Sequence, residues 1–413
     1  MTRSRKPRSA SAAQDARGET EGHQGTASGF VDEQARGEYI RLGAGCFLVA
    51  VTNAHSALLA IVFARSGYDL HDIGLLLSIF AFPVVASALV SGVIADRLGA
   101  LATVRLAMVL LAVGFLSFDI TRTSFAAAVA SRVVQGVGQG LFLGSALTYA
   151  QGRLSPLRFV YLLGIFSSLM VVSQALGPPL GAYMLGTFGE RAMFAVAAIP
   201  AIAGLALTFG LRPLPKPPVS PGLHLFSVWR PHFPEPIWAV FVSGAMSGFT
   251  LAYLAAALEA RTIPIACFFV ASTASLFASR FFALRYVEEV DRRVLIASGL
   301  TLMGVGFVAV ALAHAVWWPV IAGGIMFGTG YSLVYPLLSA WMSEGLEPSR
   351  RAGPQALLNT SFNIGLFATP YPETSLISRF GYDATLYVLA GLGFATALFL
   401  AWRSRRPERV NVV

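Results

Sequence analysis

Residues 92–101 read Gly92-Val93-Ile94-Ala95-Asp96-Arg97-Leu98-Gly99-Ala100-Leu101. The stretch closes one apolar run, 73–95, and stands directly before another, 102–120. A helix needs about 20 apolar residues to cross the hydrocarbon of a bilayer, and both runs are close to that length. The few residues between them leave room for a tight turn and little else. Gly99 can supply the turn, and Gly92 lets a neighbouring helix end come close. Asp96 can cap a helix N-terminus or pair with an arginine.

Outward from this hairpin the pattern recurs. Apolar runs lie at roughly 39–64, 73–95, 102–120, 124–151, 159–187, 191–211, 236–258, 263–284, 294–314, 317–342, 355–376 and 382–402. They are continuous rather than alternating and too long for barrel strands, so they predict helices. Composition agrees: of 413 residues 55% are hydrophobic and 12% charged, with mean hydropathy +0.66. A soluble domain is about a quarter charged, so a water-soluble enzyme does not fit. Extensive disorder does not fit either. The expected architecture is an all-α membrane protein with 12 transmembrane helices in two pseudo-symmetric bundles of six. A disordered polar tail, 1–38, precedes a bundle over 39–211. A proline-rich loop, 212–235, leads to the second bundle over 236–402 and a short tail, 403–413. Cys46 and Cys267 both sit in apolar runs and set no disulfide or metal framework.

The chain carries 30 Lys and Arg and a formal net charge of +9. Such a balance can signal nucleic acid, but its distribution signals topology instead. The tails, the even-numbered loops and the span ends beside them hold 23 of the 30. The opposite side holds Arg65, Arg122, Arg191, Arg261 and Arg379, while Arg132 and Arg280 lie inside spans. Cytoplasmic loops carry the positive excess, so both termini are expected in the cytoplasm, with no nucleic-acid partner. A constant offset of 192 residues matches Val113-Gly114-Phe115 to Val305-Gly306-Phe307, Gly136 and Gly138 to Gly328 and Gly330, Arg158 to Arg350, and Pro178 to Pro370. Parallel repeats of this kind occur in transporter folds.

The 92–101 loop resembles the G-x-x-x-D-R-x-G-R-R/K signature of the major facilitator superfamily. Gly92, Asp96, Arg97 and Gly99 match; Ala100 and Leu101 replace the usual basic pair, for which Arg105 can supply a later charge. The resemblance implies a conformational latch, whose Asp holds neighbouring helices together in one transport state. A degenerate counterpart in the second half surrounds Glu288, Glu289, Asp291, Arg292 and Arg293. Arg132-Val133-Val134-Gln135-Gly136-Val137-Gly138-Gln139-Gly140 is similar to the R-x-x-Q-G-x-G run on the family's fourth helix, associated in antiporters with proton coupling. The alternative for Arg132 is snorkelling to the outer interface. Ser173-Gln174-Ala175-Leu176-Gly177-Pro178-Pro179-Leu180-Gly181-Ala182 resembles the G-x-x-x-G-P-x-x-G-G motif of the family's exporters, with Ser173 and Ala182 in place of its first and last glycines. It implies a helix-five kink at Gly177, Pro178 and Gly181, and efflux. The stretches Gly328–Pro336 and Asn359–Gly365 resemble the tenth and eleventh helices of bacterial drug and sugar efflux members.

Polar residues inside spans should face a partner or an aqueous cavity. Asn53, His55, Arg132, Gln135, Gln139, Tyr331, Tyr335 and Asn363 therefore form the expected substrate and proton pathway. His55 is the one histidine well inside a span, whereas Asp119, Glu259 and Glu373 fall near outer span ends. That makes His55 the candidate proton carrier, the alternative being a buried histidine that only satisfies its hydrogen bonds. No cluster of acids, histidines or nucleophiles suggests an enzyme, and no metal or cofactor is expected. The reading is a secondary active transporter, moving a small organic solute by alternating access in the cell inner (plasma) membrane. Its expected partners are that solute, the lipid bilayer and protons, and it is expected to act as a monomer by efflux through proton antiport. An importer or uniporter of a sugar or small metabolite is the alternative, with a transport-dead sensor or scaffold behind it.

Overall fold

The computed structural model describes residues 37–121, 123–153, 156–214, 230, 232–283, 291–314, 316–346 and 352–405. Residues 1–36 of the tail expected over 1–38, most of the 212–235 loop, Glu288 and Glu289, and the Arg158–Arg350 match lie outside the described residues or side chains, while 37 and 38 already belong to the first helix. The first half consists of α1 (Gly37–Arg65), α2 (Leu70–Leu98), α3 (Ala100–Thr121), α4 (Phe125–Arg153), α5 (Pro156–Phe188) and α6 (Glu190–Thr208). In the second half, α7 runs over Pro234–Ala252 and resumes as Leu254–Glu259, followed by α8 (Ala266–Ala283), α9 (Arg292–Ala311) and α10 (Trp318–Met342). Ala352–Ala368 continues from Pro370 to 380 as α11, and α12 occupies 382–404. The described chain is all helix without strands, a 12-helix fold in two halves.

Sequence explains where the helices begin and break. Asp69 accepts a hydrogen bond from the Asp72 amide (2.8 Å) at the start of α2, and Asp291 accepts one from the Arg293 amide (2.7 Å) at the start of α9. Each cap satisfies an otherwise orphaned helix donor. α1 tightens into a 3₁₀ turn over His55–Leu58. In α2 the ladder carries the Ile79 amide to Leu75 (2.8 Å) and resumes with Val84 to Phe80 (3.3 Å), just around Pro83. Proline has no N–H to donate, so the lapse is expected there.

The repeat offset is written into the packing. A Cβ on Gly136 would meet Phe80 and Pro83 of α2, and one on Gly328 would meet Ser272 and Ser275 of α8. On Gly138 it would meet Ala107 and Leu111 of α3, and on Gly330 it would meet Gly299 and Met303 of α9. Every residue of the second set stands 192 positions after its counterpart. Gly189 and Gly381, with φ of 83° and 82°, turn the chain between α5 and α6 and between α11 and α12 at the same offset.

The halves meet at the end of the molecule that carries the α1–α2, α7–α8 and α11–α12 turns. Arg65 of α1 pairs there with Glu259 of α7 at 2.6 Å. Ser78 of α2 donates to the Ala368 carbonyl (3.2 Å) and accepts from the Tyr371 amide (2.8 Å) of α11. Thr374 packs on Gly74 of α2, and the Phe80 and Phe367 rings meet edge-on at 4.8 Å. At the opposite end, the second half is tied internally: Glu235 accepts from Arg293 (3.1 Å) and Arg403 (2.7 Å), and Arg292 pairs with Glu344.

Candidate functional site: a cavity shared by both halves

Behind the sealed end lies a cavity of about 130 Å³ between α1, α2, α4 and α5 on one side and α7 and α11 on the other. Its first-half wall carries Asn53, Ser56, Arg132, Gln139, Ser173 and Gln174. Its second-half wall is made of Gly248, Leu251, Ala252, Leu366, Phe367 and Pro370. One wall is therefore rich in hydrogen-bonding groups and the other is apolar.

Arg132 is the most constrained of these residues. It is 3% exposed and does not reach for the interface. Its Nε donates to Leu76 O (2.9 Å) and Nη2 to Leu77 O (3.1 Å), the carbonyls at the lapse in α2. Nη1 donates to Gln135 Oε1 (2.8 Å), and the guanidinium lies 4.3 Å from the Phe80 ring centroid. The break before Pro83 thus supplies acceptors that a continuous helix would have spent on itself. Five N–H groups in a fixed fork suit this arrangement in a way that a lysine could not. Asn53 donates to Gln139 Oε1 at 2.6 Å and to Val49 O at 3.0 Å, so α1 and α4 are joined across the cavity floor.

Other expected pathway residues sit elsewhere. Gln135 points to α3, where its side chain fills the space that Gly114 leaves, and its Nε2 is buried without a partner. His55 is fully buried, donates from Nδ1 to Val51 O (2.7 Å) and packs beneath Gly181 of α5. Its Nε2 is buried without a partner, and it does not line the cavity. Helical spacing accounts for this: Asn53 and Ser56, three positions apart, share the cavity face, whereas His55, two positions after Asn53, falls on the other side of α1. Tyr331 and Tyr335 flank Phe362 at ring distances of 6.3 and 5.2 Å, an aromatic contact between α10 and α11 away from the cavity lining. Asn363 donates back to the Asn359 carbonyl at 2.8 Å.

The helix-five motif acts through contact with α1. Gly177 abuts Ala54, Gly181 abuts Leu58 and His55, and α5 runs unbroken through Pro178 and Pro179. Pro178 withholds a donor from the carbonyl of Gln174, a cavity residue. In the latch loop, Gly99 has φ 94° and makes the turn. Asp96 is half-buried without a hydrogen-bond or ion-pair partner among the described residues, and Arg97 is exposed. A Cβ on Gly92 would meet open space rather than a neighbouring helix among the described residues. Arg105 does not serve the loop: it donates to the Thr208 carbonyl (2.8 Å) and lies over Phe209 at the end of α6.

One residue discounted from the sequence is Glu373. It is 3% exposed on α11, both carboxyl oxygens are buried, and beside the Thr369 hydroxyl it has no ion-pair partner among the described residues. The expected run over 355–376 places it near an outer span end, but Pro370 takes the first position of a resumed helix that runs on to 380. The acid consequently lies inside the helix.

Two helical bundles enclosing a cavity lined from both sides define a non-enzymatic membrane transporter. The chain belongs to the major facilitator superfamily, whose model matches residues 42–263 and 262–412. It is similar to the quinolone resistance protein NorA of Staphylococcus aureus, 22% identical over 78% of this chain and 85% of that protein. A second relative is YhhS of Salmonella typhi, described as an uncharacterized MFS-type transporter, 25% identical over 57% of this chain and 58% of its own. Its fold matches the Escherichia coli xylose transporter XylE in an inward open conformation (TM-score 0.72, 14% identity, 90% of this chain and 97% of that one). A peptide transporter POT matches with a TM-score of 0.75 at 15% identity, over 89% of this chain and 94% of that one.

Proposed function

We propose that the protein exports a small amphipathic organic solute in exchange for protons across the cell inner membrane, with both termini in the cytoplasm. The carrying observation is the division of the cavity into a polar first-half wall and an apolar second-half wall. A solute with one hydrogen-bonding edge and one apolar face fits between them; a polyanion does not, because Arg132 is the one charge in the lining. The name of the quinolone resistance protein supports a drug-like solute and the efflux direction.

In this reading the sealed end faces outward. Asp96 is the latch that engages when the cytoplasmic end closes, which is why it stands without a partner while that end is not covered. The protein works as a monomer, each cavity being complete within one chain. The test is transport of a fluorescent quinolone by purified protein in liposomes. Exchange of labelled for unlabelled quinolone should occur without energy, and an imposed pH gradient should drive accumulation against the solute gradient. Exchange without pH-driven accumulation would make the protein a uniporter.

A further inference from the structure

We infer that Glu373 is a proton-binding residue of the seal: its carboxyl holds a proton while α2 covers α11, and gives it up to water when the two part. The inference rests on the transport reading for naming that side outer.

Four observations converge on this turn of α11. Glu373 is buried on all sides by protein; its neighbouring hydroxyl, Thr369, donates to the Gly365 carbonyl (2.6 Å), and among the described residues no cation faces it. A carboxylate left so would be an uncompensated charge, the costliest group to bury. A carboxylic acid has no such charge to satisfy. The same turn carries the contacts that join the halves: Tyr371 bonds Ser78, and Thr374 lies on Gly74. One turn earlier, Pro370 lines the cavity. Separating α2 from α11 therefore brings water to the segment that holds the carboxyl.

The neighbouring charged and titratable groups are otherwise committed. Arg65 of α1 pairs with Glu259 of α7. Tyr253 of α7 shares its hydroxyl with Thr374 (2.5 Å) and the Pro370 carbonyl (3.0 Å). On α2, His71 stacks edge-on with Tyr371, Asp69 caps its own helix and Asp72 is bonded there through its amide. At the start of α12, Asp383 pairs with Arg261, and Tyr382 lines the outer recess beside Glu259. None of them supplies a counter-charge to Glu373. The proton comes from water and returns to water, so no other reactant is needed.

The full-length protein in nanodiscs tests this without any substrate. Spin labels go on Ser124→Cys and Val316→Cys, exposed sites on sealed-end loops of the two halves, in a Cys46→Ala/Cys267→Ala background. Pulsed EPR distances are recorded from pH 5 to 9. In the parent, the ratio of short to long distances should fall with rising pH, by up to about tenfold per pH unit for one linked proton. Glu373→Gln should keep the short distance throughout, and Glu373→Asp should restore a pH response. If Glu373→Gln does not yield folded protein, Glu373→Met is read in the same way. A parent distribution that ignores pH, or a neutral variant that follows the parent, overturns the inference. A parent that switches with pH yet accumulates no quinolone under a pH gradient removes the antiport reading and leaves this one standing.

Discussion

Arg132 reads the backbone of another helix. Its fork takes two carbonyls of α2, freed by the break before Pro83, and the side-chain amide of Gln135 one turn on in its own helix. Arg132→Lys keeps the charge and loses the fork. Quinolone exchange should fall about tenfold, corresponding to about 1.4 kcal/mol, with a lower melting temperature in detergent. An unchanged rate and melting temperature would mean that charge alone matters. Asp96 is the contrasting case. It has no partner in this arrangement, so Asp96→Asn should leave the melting temperature within experimental scatter while slowing turnover. Normal turnover by a well-expressed Asp96→Asn protein would remove the latch role.

At the scale of helices, the close contacts are made by small residues facing backbone. Gly181→Leu would drive a side chain into Leu58 and His55. Overpacking of this kind costs about 1–3 kcal/mol, to be read as a loss of thermal stability. Ser78→Ala removes two bonds between α2 and α11. It should shift the spin-label pair described above toward the longer distance, and no shift would make Ser78 incidental. Much of this layer could be read from sequence. The 192-residue offset found at Gly136, Gly138, Gly328 and Gly330 marks pairs that make equivalent contacts. The direction of individual side chains could not be read. Asn53 and Ser56, three positions apart, share the cavity face of α1 and His55 does not, but the hydropathy of the run is the same whichever face meets the cavity. Glu373 was passed over because a place near a span end does not reveal whether neighbouring helices cover the side chain.

For the whole molecule, orientation rests on counting positive charge. Cysteines at Ser124 and Arg97, both exposed, should behave oppositely in sealed cells. A membrane-impermeant maleimide should label the first from outside and reach the second only after permeabilisation. Labelling of the second from outside would invert the molecule and its proposed direction of transport. The Arg65–Glu259 pair at the sealed end has a further consequence. Both side chains are a little over 40% exposed, so the pair contributes at most about 1 kcal/mol. Mobile ions compete for such charges, with a Debye length of about 10 Å at 0.1 M and about 3 Å at 1 M. Concentrated brine outside the cell should therefore loosen the clasp between the halves, and a dilute medium should tighten it. The resting balance between the two faces of the transporter then varies with the salinity of its surroundings, even when no solute is being moved.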